Sequence, residues 1–315
     1  MGYYYFCYQK YNCVIRLIII FRLLKSNLKE ISVPIIEPTD KSLKNLSGLH
    51  LWHGELSSCS QRVRITLTEK KLDWHSHLIS IPKNEHATPE YQAIHPHGLV
   101  PALVDNGTLL IESCDIIDYL DEKYPEQPLR PCNSSDQIAM NDWLIAADKA
   151  QTDLKLLSHE FLFRPRKKMS SDELDTFSKS HNNQTLVAFI KEWQIRDVFP
   201  KKKLDQSVDR THADFTKLDN VLRNQKWLVG EKMSLADIAW MPNIHRMSLM
   251  DWPLDRYPNL SRWFDQVQLR SSYQTALVNW ESEGQAHRFQ TYVKQRKIET
   301  GIHVTEFGTL AKTTA

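Results

Sequence analysis

The sequence predicts an α+β N-terminal domain followed by an all-α domain, and three observations lead there. Between residues 49 and 124, short alternating apolar runs, the mark of half-buried strands, are interleaved with segments of helical periodicity. A proline-containing stretch, EQPLRPCNSS (126–135), then reads as a linker. Beyond it strand signals vanish, and helical periods run through 136–163, 171–196, 207–224, 234–250 and 258–280. The expected division is 49–127 for the first domain and 136–280 for the second.

Taken in order, LHLWH (49–53) alternates and makes a first strand. Residues 57–71 read as a helix, with Ser57 and Ser58 at its start and Val63, Ile65, Leu67 and Leu72 apolar. WHSHLISI (74–81) is a second strand, and 83–94, which contains Pro89, is weakly helical or irregular. Residues 100–104 and 108–111 flank Asp105-Asn106-Gly107, and Asn-Gly between apolar runs is a hairpin signal. Residues 112–124 form a helix with Ile116, Ile117 and Leu120 inward, ended before Pro125. A strand–helix–strand crossover gives a parallel pair, and the hairpin adds an antiparallel edge.

The flanks differ from the body. Residues 1–48 hold seven Lys/Arg against three acids, and CVIRLIIIFRLL is broken by Arg16 and Arg22. That run is too short to span a bilayer comfortably and lacks a small-residue cleavage site. It is expected to be a disordered extension, with interfacial membrane contact through residues 1–30 as the alternative; 33–48 reads as a linker. Residues 281–315 read as a polar tail with one more helix near 285–297. The segment 164–206 reads as irregular, and its basic runs 164–168 and 201–203 as solvated surface.

Composition narrows the function classes. A hydrophobic share of 41% with 25% charged residues is that of a soluble globular protein. Residues 49–315 carry 33 basic against 35 acidic side chains, so nucleic acid is excluded as a main partner. The five cysteines form no pair or metal-like spacing within the body, which points to a reducing, cytoplasmic compartment. Among 13 histidines, His75 and His77 share a strand face and His95 and His97 flank Pro96. No Cys or carboxylate completes a ligand set with them, so no metal is expected.

Three stretches carry chemistry. In LSSCSQRVRITL (56–67), hydroxyl and thiol residues gather at a helix start, where free N–H groups and positive potential favour an anion. A hydroxyl there can donate to a thiolate, although plain capping by Ser57 or Ser58 explains the same residues. A cis bond at Val100-Pro101 would turn the Val100 N–H and C=O outward to a ligand; an edge-strand proline is the plainer explanation. Glu112-Ser113 opens a helix, where Ser113 could bind a carboxylate and Glu112 an ammonium, or the pair could simply cap. An amino acid's α-carbon presents one group of each sign, so the adjacency matters.

In this order and spacing, residues 49–124 resemble the thioredoxin-like N-terminal domain of cytosolic glutathione transferases, and the remainder to about 280 resembles their all-α C-terminal domain. SSCSQRVRITL is similar to the zeta-class serine-cysteine motif, and HPHGLVPAL with LLIES and IIDYLDEKYP is similar to the omega-class pattern. The arrangement including IPKNEHATPEY also resembles bacterial transferases and ganglioside-induced differentiation-associated proteins. SLADIAW (234–240) resembles the family's buried helix start, with Ser234 and Asp237 as a structural capping box.

The resemblance implies glutathione as cosubstrate, a small electrophile, and a homodimer. It places the catalytic hydroxyl on Ser57, with Ser58 as the alternative one residue on, and puts Cys59 against thiol or substrate. Leu99, Val100 and Pro101 would hold the cysteinyl backbone, and Glu112 and Ser113 the γ-glutamyl end. The implied reactions are conjugation, dehalogenation, ether cleavage or isomerisation, with a non-catalytic binding or scaffold protein on the same fold as the alternative. His95 departs from the family's usual Asn before Pro96. Thr88 sits near the expected lysine for the glycine carboxylate, leaving Lys83, His86 or His97 for that role. Trp143, Phe161 and Trp193 could line the electrophile pocket or simply be core.

Overall fold

The computed structural model describes residues 35–164 and 168–312; the expected extension over 1–34 lies outside them. The strands are β1 (Ile35–Ile36), β2 (Leu49–His53), β3 (His75–Leu78), β4 (Ala102–Asp105) and β5 (Thr108–Ile111), in one sheet of order β1-β5-β4-β2-β3. β2 runs parallel to β3 and antiparallel to β4, with His50 opposite His75 and Leu51 opposite Leu103. β4 begins at Ala102, two residues later than the pattern suggests, because Pro101 has no N–H for the ladder. The β4–β5 turn has Asn106 at φ 46° and Gly107 at φ 82°, the double positive φ of a tight hairpin. Residues 35–48, expected as linker, instead supply the outer strand: Ile35 pairs with Leu110, Ile36 with Leu109, and Leu43 is buried.

Helices α1 (Ser58–Glu69) and α3 (Ser113–Lys123) cover one sheet face, while the short α2 (Pro89–Ile94) follows β3. Leu51, Leu103 and Leu110 meet Val63, Ile65, Leu67, Ile116, Ile117 and Leu120 on that face. The other face holds a smaller cluster of Trp52, Val104, Leu109 and Ile111 with Leu43 and Tyr91. The period-2 alternation of the strands thus feeds two cores, one per face.

The second domain comprises α4 (Ser134–Lys149), α5 (Gln151–Phe161), α6 (Ser171–Ser180), α7 (Gln184–Ile195), α8 (Lys201–Leu222), α9 (Leu235–Leu249), α10 (Pro258–Gln268) and α11 (Ser271–Ala276). α9 is buried nearly all round, and its start carries the expected Ser234/Asp237 capping box; Asp237 also accepts from Leu228 N–H and Trp263 Nε1 at 2.9 Å each. The basic run at 201–203 is the first turn of α8 rather than irregular chain, with Lys201 paired to Asp205 and Lys203 to Glu192. The helix expected near 285–297 is α12 (Gln285–Thr300), but the segment is not a tail: α13 (Gly308–Ala311) follows, and Val293, Val304 and Leu310 are buried in the main core. α13 is tied to α8 by Gly308 N–H on Asp205 and Thr309 N–H on Asp209, at 2.8 and 2.7 Å.

The α6–α7 hairpin packs against the chain that leads into Val100. Ala87 meets Phe177 and Val187, while the Gln92 amide donates to Ser180 O at 2.7 Å and accepts from Asn182 N–H at 2.7 Å. No helix among the described residues is long and apolar enough to cross a membrane.

Candidate active site

Ser57 is the N-cap of α1, with extended backbone (φ −66°, ψ 117°), and its hydroxyl oxygen accepts from Ser60 N–H at 3.2 Å. That bond uses the oxygen and leaves the hydroxyl hydrogen for another partner. Ser58 differs: its hydroxyl donates to Gln151 Oε1 at 2.7 Å, across the domain boundary. Cys59 is half-buried with a free thiol.

Ser57 and Val100 come together at Gly54. A Cβ built on Gly54 would lie 3.5 Å from Ser57 Cβ, 3.4 Å from Val100 Cγ2 and 3.3 Å from Ile81 Cγ1, so the loop is packed without spare room. Its carbonyls are held by guanidiniums. Arg64 donates to Gly54 O at 3.0 Å and Glu55 O at 2.9 Å, and Arg246 donates to Leu56 O. Planar trans peptides then put the N–H groups of Glu55 and Leu56 on the face away from those cations.

Arg64 is itself fully buried, donates to Ala276 O, and lies 4.8 Å over the Trp280 ring. Burial pulls its pKa down to about 9. His53 Nδ1 meets Arg64 Nη1 at 3.1 Å and its Nε2 meets Ser76 Oγ at 2.8 Å. Burial first, then Arg64, holds His53 down at about 3, so the ring is neutral and accepts from the guanidinium.

The Val100-Pro101 bond is cis. Ladder pairing starts at Ala102, so the Val100 N–H and C=O lie outside the sheet's hydrogen bonding. The neighbouring Leu99 carbonyl already accepts from Tyr91 OH at 2.5 Å, a partner inside the domain. Pro101 is buried and has no N–H.

Glu112 has φ 64°, a left-handed value that is an outlier for a non-glycine residue and clusters at ligand clamps. Ser113 is the first residue of α3 and is 3% exposed; its hydroxyl accepts from Arg62 Nη1 at 3.2 Å. Burial, then the neighbouring Asp148, pushes the Glu112 carboxyl above its ordinary range, with His97 opposing. Asp115 is pushed up to about 6 by burial and then by Glu112, Asp118 and Asp148. This end of the site therefore has a negative side and, at the α3 N-terminus, a positive one.

Of the residues left for a glycine carboxylate, His86 is buried and held down at about 4 by burial and then His181, so it is neutral at pH 7. Lys83 and His97 are exposed. The aromatic trio does not converge. Phe161 is core, Trp143 packs edge-on against Trp240, and Trp193 donates to His159 O at 2.9 Å. A cavity of about 250 Å³ lies elsewhere, lined by Trp193, Arg164, Arg196 and Arg296 rather than by Ser57, Val100 or Ser113. His50, His75 and His77 stack on one sheet face, with His50 Nδ1 and His77 Nε2 2.9 Å apart. Among the described residues no group of three or more His, Cys, Asp or Glu is arranged to hold a metal.

Sequence reasoning missed Arg62, Arg64 and Arg246. The available signal was VRITL, whose apolar residues 63, 65 and 67 alternate within a helix, a pattern that fits burial all round rather than one apolar stripe.

Comparison with known proteins agrees with this architecture. Residues 51–128 match the family model described as glutathione S-transferase, N-terminal domain, and residues 177–270 match glutathione S-transferase, C-terminal domain. A zeta-class glutathione S-transferase from Euphorbia esula is 31% identical over 236 residues, covering 74% of this chain and 91% of that protein. A maleylacetoacetate isomerase from Pseudomonas aeruginosa is 26% identical over 223 residues, covering 70% and 91%. Among solved structures, the beta-etherase LigF from Sphingobium sp. superposes with a TM-score of 0.67 at 24% identity, over 73% of this chain and 98% of that one. With both domains matched in order and on this relatedness, the chain belongs to the glutathione S-transferase family.

Proposed function

We propose that this protein is a serine-type glutathione transferase that binds glutathione along Val100 and the Glu112–Ser113 helix start and activates its thiol at Ser57. The observation that carries the reading is the Ser57 hydroxyl. Its oxygen is held by the Ser60 N–H, its proton has no acceptor among the described residues, and it stands at the α1 N-terminus near Val100. Ser57 would donate to the thiolate, and that donation with the α1 dipole lowers the thiol pKa and raises the thiolate fraction at neutral pH. The sulfur then attacks a small electrophile: in a displacement the new S–C bond replaces the bond to the leaving group, and in an isomerisation the same S–C bond breaks again and glutathione is released. Val100 would pair its N–H and C=O with the cysteinyl unit. Ser113 would donate to the γ-glutamyl carboxylate, and Glu112 would face its ammonium. Cys59 would lie on the same helix turn as Ser57, near the sulfur.

Isomerisation is favoured among the reaction types by the SSCS motif and by the similarity to a bacterial maleylacetoacetate isomerase. The reading also includes a cytoplasmic location and a homodimer. For the dimer, Ile138 and Ile145 on α4, 65% and 51% exposed and seven residues apart on one face, are the natural contact stripe. The test is retention on immobilised glutathione together with the ultraviolet thiolate band of the complex. Retention with a thiolate band at neutral pH is expected. Absence of both would turn the reading to a non-catalytic scaffold.

A further inference from the structure

Arg62 is fully buried, yet among the described residues its guanidinium hydrogen-bonds only uncharged groups and no carboxylate. All its donors go to neutral acceptors. Nε reaches Ala239 O at 2.9 Å, and Nη2 reaches Ala147 O at 2.8 Å and Asn243 Oδ1 at 3.5 Å. Nη1 reaches Ser113 Oγ at 3.2 Å and Cys114 Sγ at 3.3 Å. A buried charge without a counter-charge is costly and calls for a reason.

The Ser113 end of the fork supplies one. A guanidinium can only donate, so the Ser113 oxygen must accept from it, and the Ser113 hydrogen is left to go elsewhere. We infer that Arg62 is a positioning residue that fixes Ser113 as a one-way donor and supplies the buried positive pole selecting the α-carboxylate of a bound γ-glutamyl group. This rests on the glutathione reading above. Glu112, Asp115 and Asp148 bring negative charge to the same helix start, Asp148 raising the carboxyls of the other two, so groups of both signs are present there for the two charges of an amino-acid head. The fork also fixes where that pole stands. Asn243 Oδ1, which Arg62 touches, accepts from Gln151 Nε2 at 2.7 Å, and Gln151 accepts from Ser58, so the helical domain holds Arg62 in register with the α1 start.

A ligand series separates this role from a merely structural one. Calorimetric Kd values would be measured for glutathione, for glutaryl-cysteinyl-glycine, which lacks the α-ammonium, and for 4-aminobutanoyl-cysteinyl-glycine, which lacks the α-carboxylate. Arg62→Met should weaken the first two by about 10- to 100-fold, the span of a hydrogen bond to a charged group. The third should change by less than about twofold. Asn243→Asp places a carboxylate beside Nη2, neutralises the pole without emptying the site, and should give the same pattern. Equal losses across all three ligands, or none, would overturn the inference. If Arg62→Met does not fold, Asn243→Asp decides it alone: undiminished preference for the carboxylate-bearing ligands refutes the role. Failure of the wild type to bind any of the three would instead overturn the glutathione reading, and the inference with it.

Discussion

Replacing Ser57 by alanine removes one hydroxyl with two separable jobs. The first is the cap on Ser60 N–H at 3.2 Å, whose loss costs about 1 kcal/mol of stability. A domain pair of this size tolerates that with a melting shift of roughly 2–4 °C, so the variant folds. The second is the proposed donation to the thiolate. A hydrogen bond to a charged group contributes about 1.5–3 kcal/mol. At about 1.4 kcal/mol per pKa unit, its loss raises the bound thiol's pKa by roughly 1–2 units. The assay is a pH titration of the thiolate absorbance of the glutathione complex, with turnover measured in parallel. Ser58→Ala is the control, because the Ser58 proton is spent on Gln151 at 2.7 Å and its removal should move the titration by less than about half a unit. An unmoved titration in Ser57→Ala, or an equal shift in Ser58→Ala, refutes the reasoning.

Three further outcomes follow from the geometry around the site. Gly98 sits at φ +55°, and a Cβ there would lie 2.7 Å from His86 O and 2.9 Å from the His181 ring. Gly98→Ala should cost about 2–4 kcal/mol in urea unfolding and weaken glutathione binding through Val100; a neutral melt would contradict the packing. His86 and His95 are both held down at about 4, chiefly by burial, against an ordinary value of 6.5. Both are neutral when folded, so stability is complete above about pH 6.5 and is lost as pH falls from there toward 4, by at most about 3 kcal/mol per histidine. His86→Gln should flatten that profile, and an unchanged slope would exclude His86 as a cause. Burial alone would raise the Glu69 carboxyl, but bonds from Arg270 at 2.7 and 2.8 Å and from Ser272 hold it below its ordinary range. Its contribution is present above that range and lost as pH falls through it. Glu69→Gln should cost about 1–2 kcal/mol at pH 7 and nothing in acid, read from urea melts at the two pH values.

What could be read in the sequence was whatever local chemistry decides. Asn106-Gly107 specified the hairpin, Ser57 the start of α1, and Pro125 the end of α3, because each acts within a few residues of itself. The site's backbone elements were visible for the same reason. What escaped was set by contacts distant in the chain. Ile35 and Ile36 are strand only because β5 offers an edge, and the docking of the helix expected near 285–297, with α13 after it, rests on a few widely spaced apolar side chains. Arg62 and Arg64 carry no local signal of their roles. Their burial depends on carbonyls 177 and 212 residues away, at Ala239 and Ala276.

Gln92 spends both ends of its amide on the turn between α6 and α7, at Ser180 and Asn182. For anyone grafting this protein's specificity onto a relative, the transferable module is therefore not a domain. A chimera joined at the linker would inherit residue 92 from one parent and residues 180–182 from the other, leaving the amide facing a strange backbone. Segments 86–98 and 171–195 must travel together, and a recombination library that keeps them paired should retain more folded members than one cut at the domain boundary.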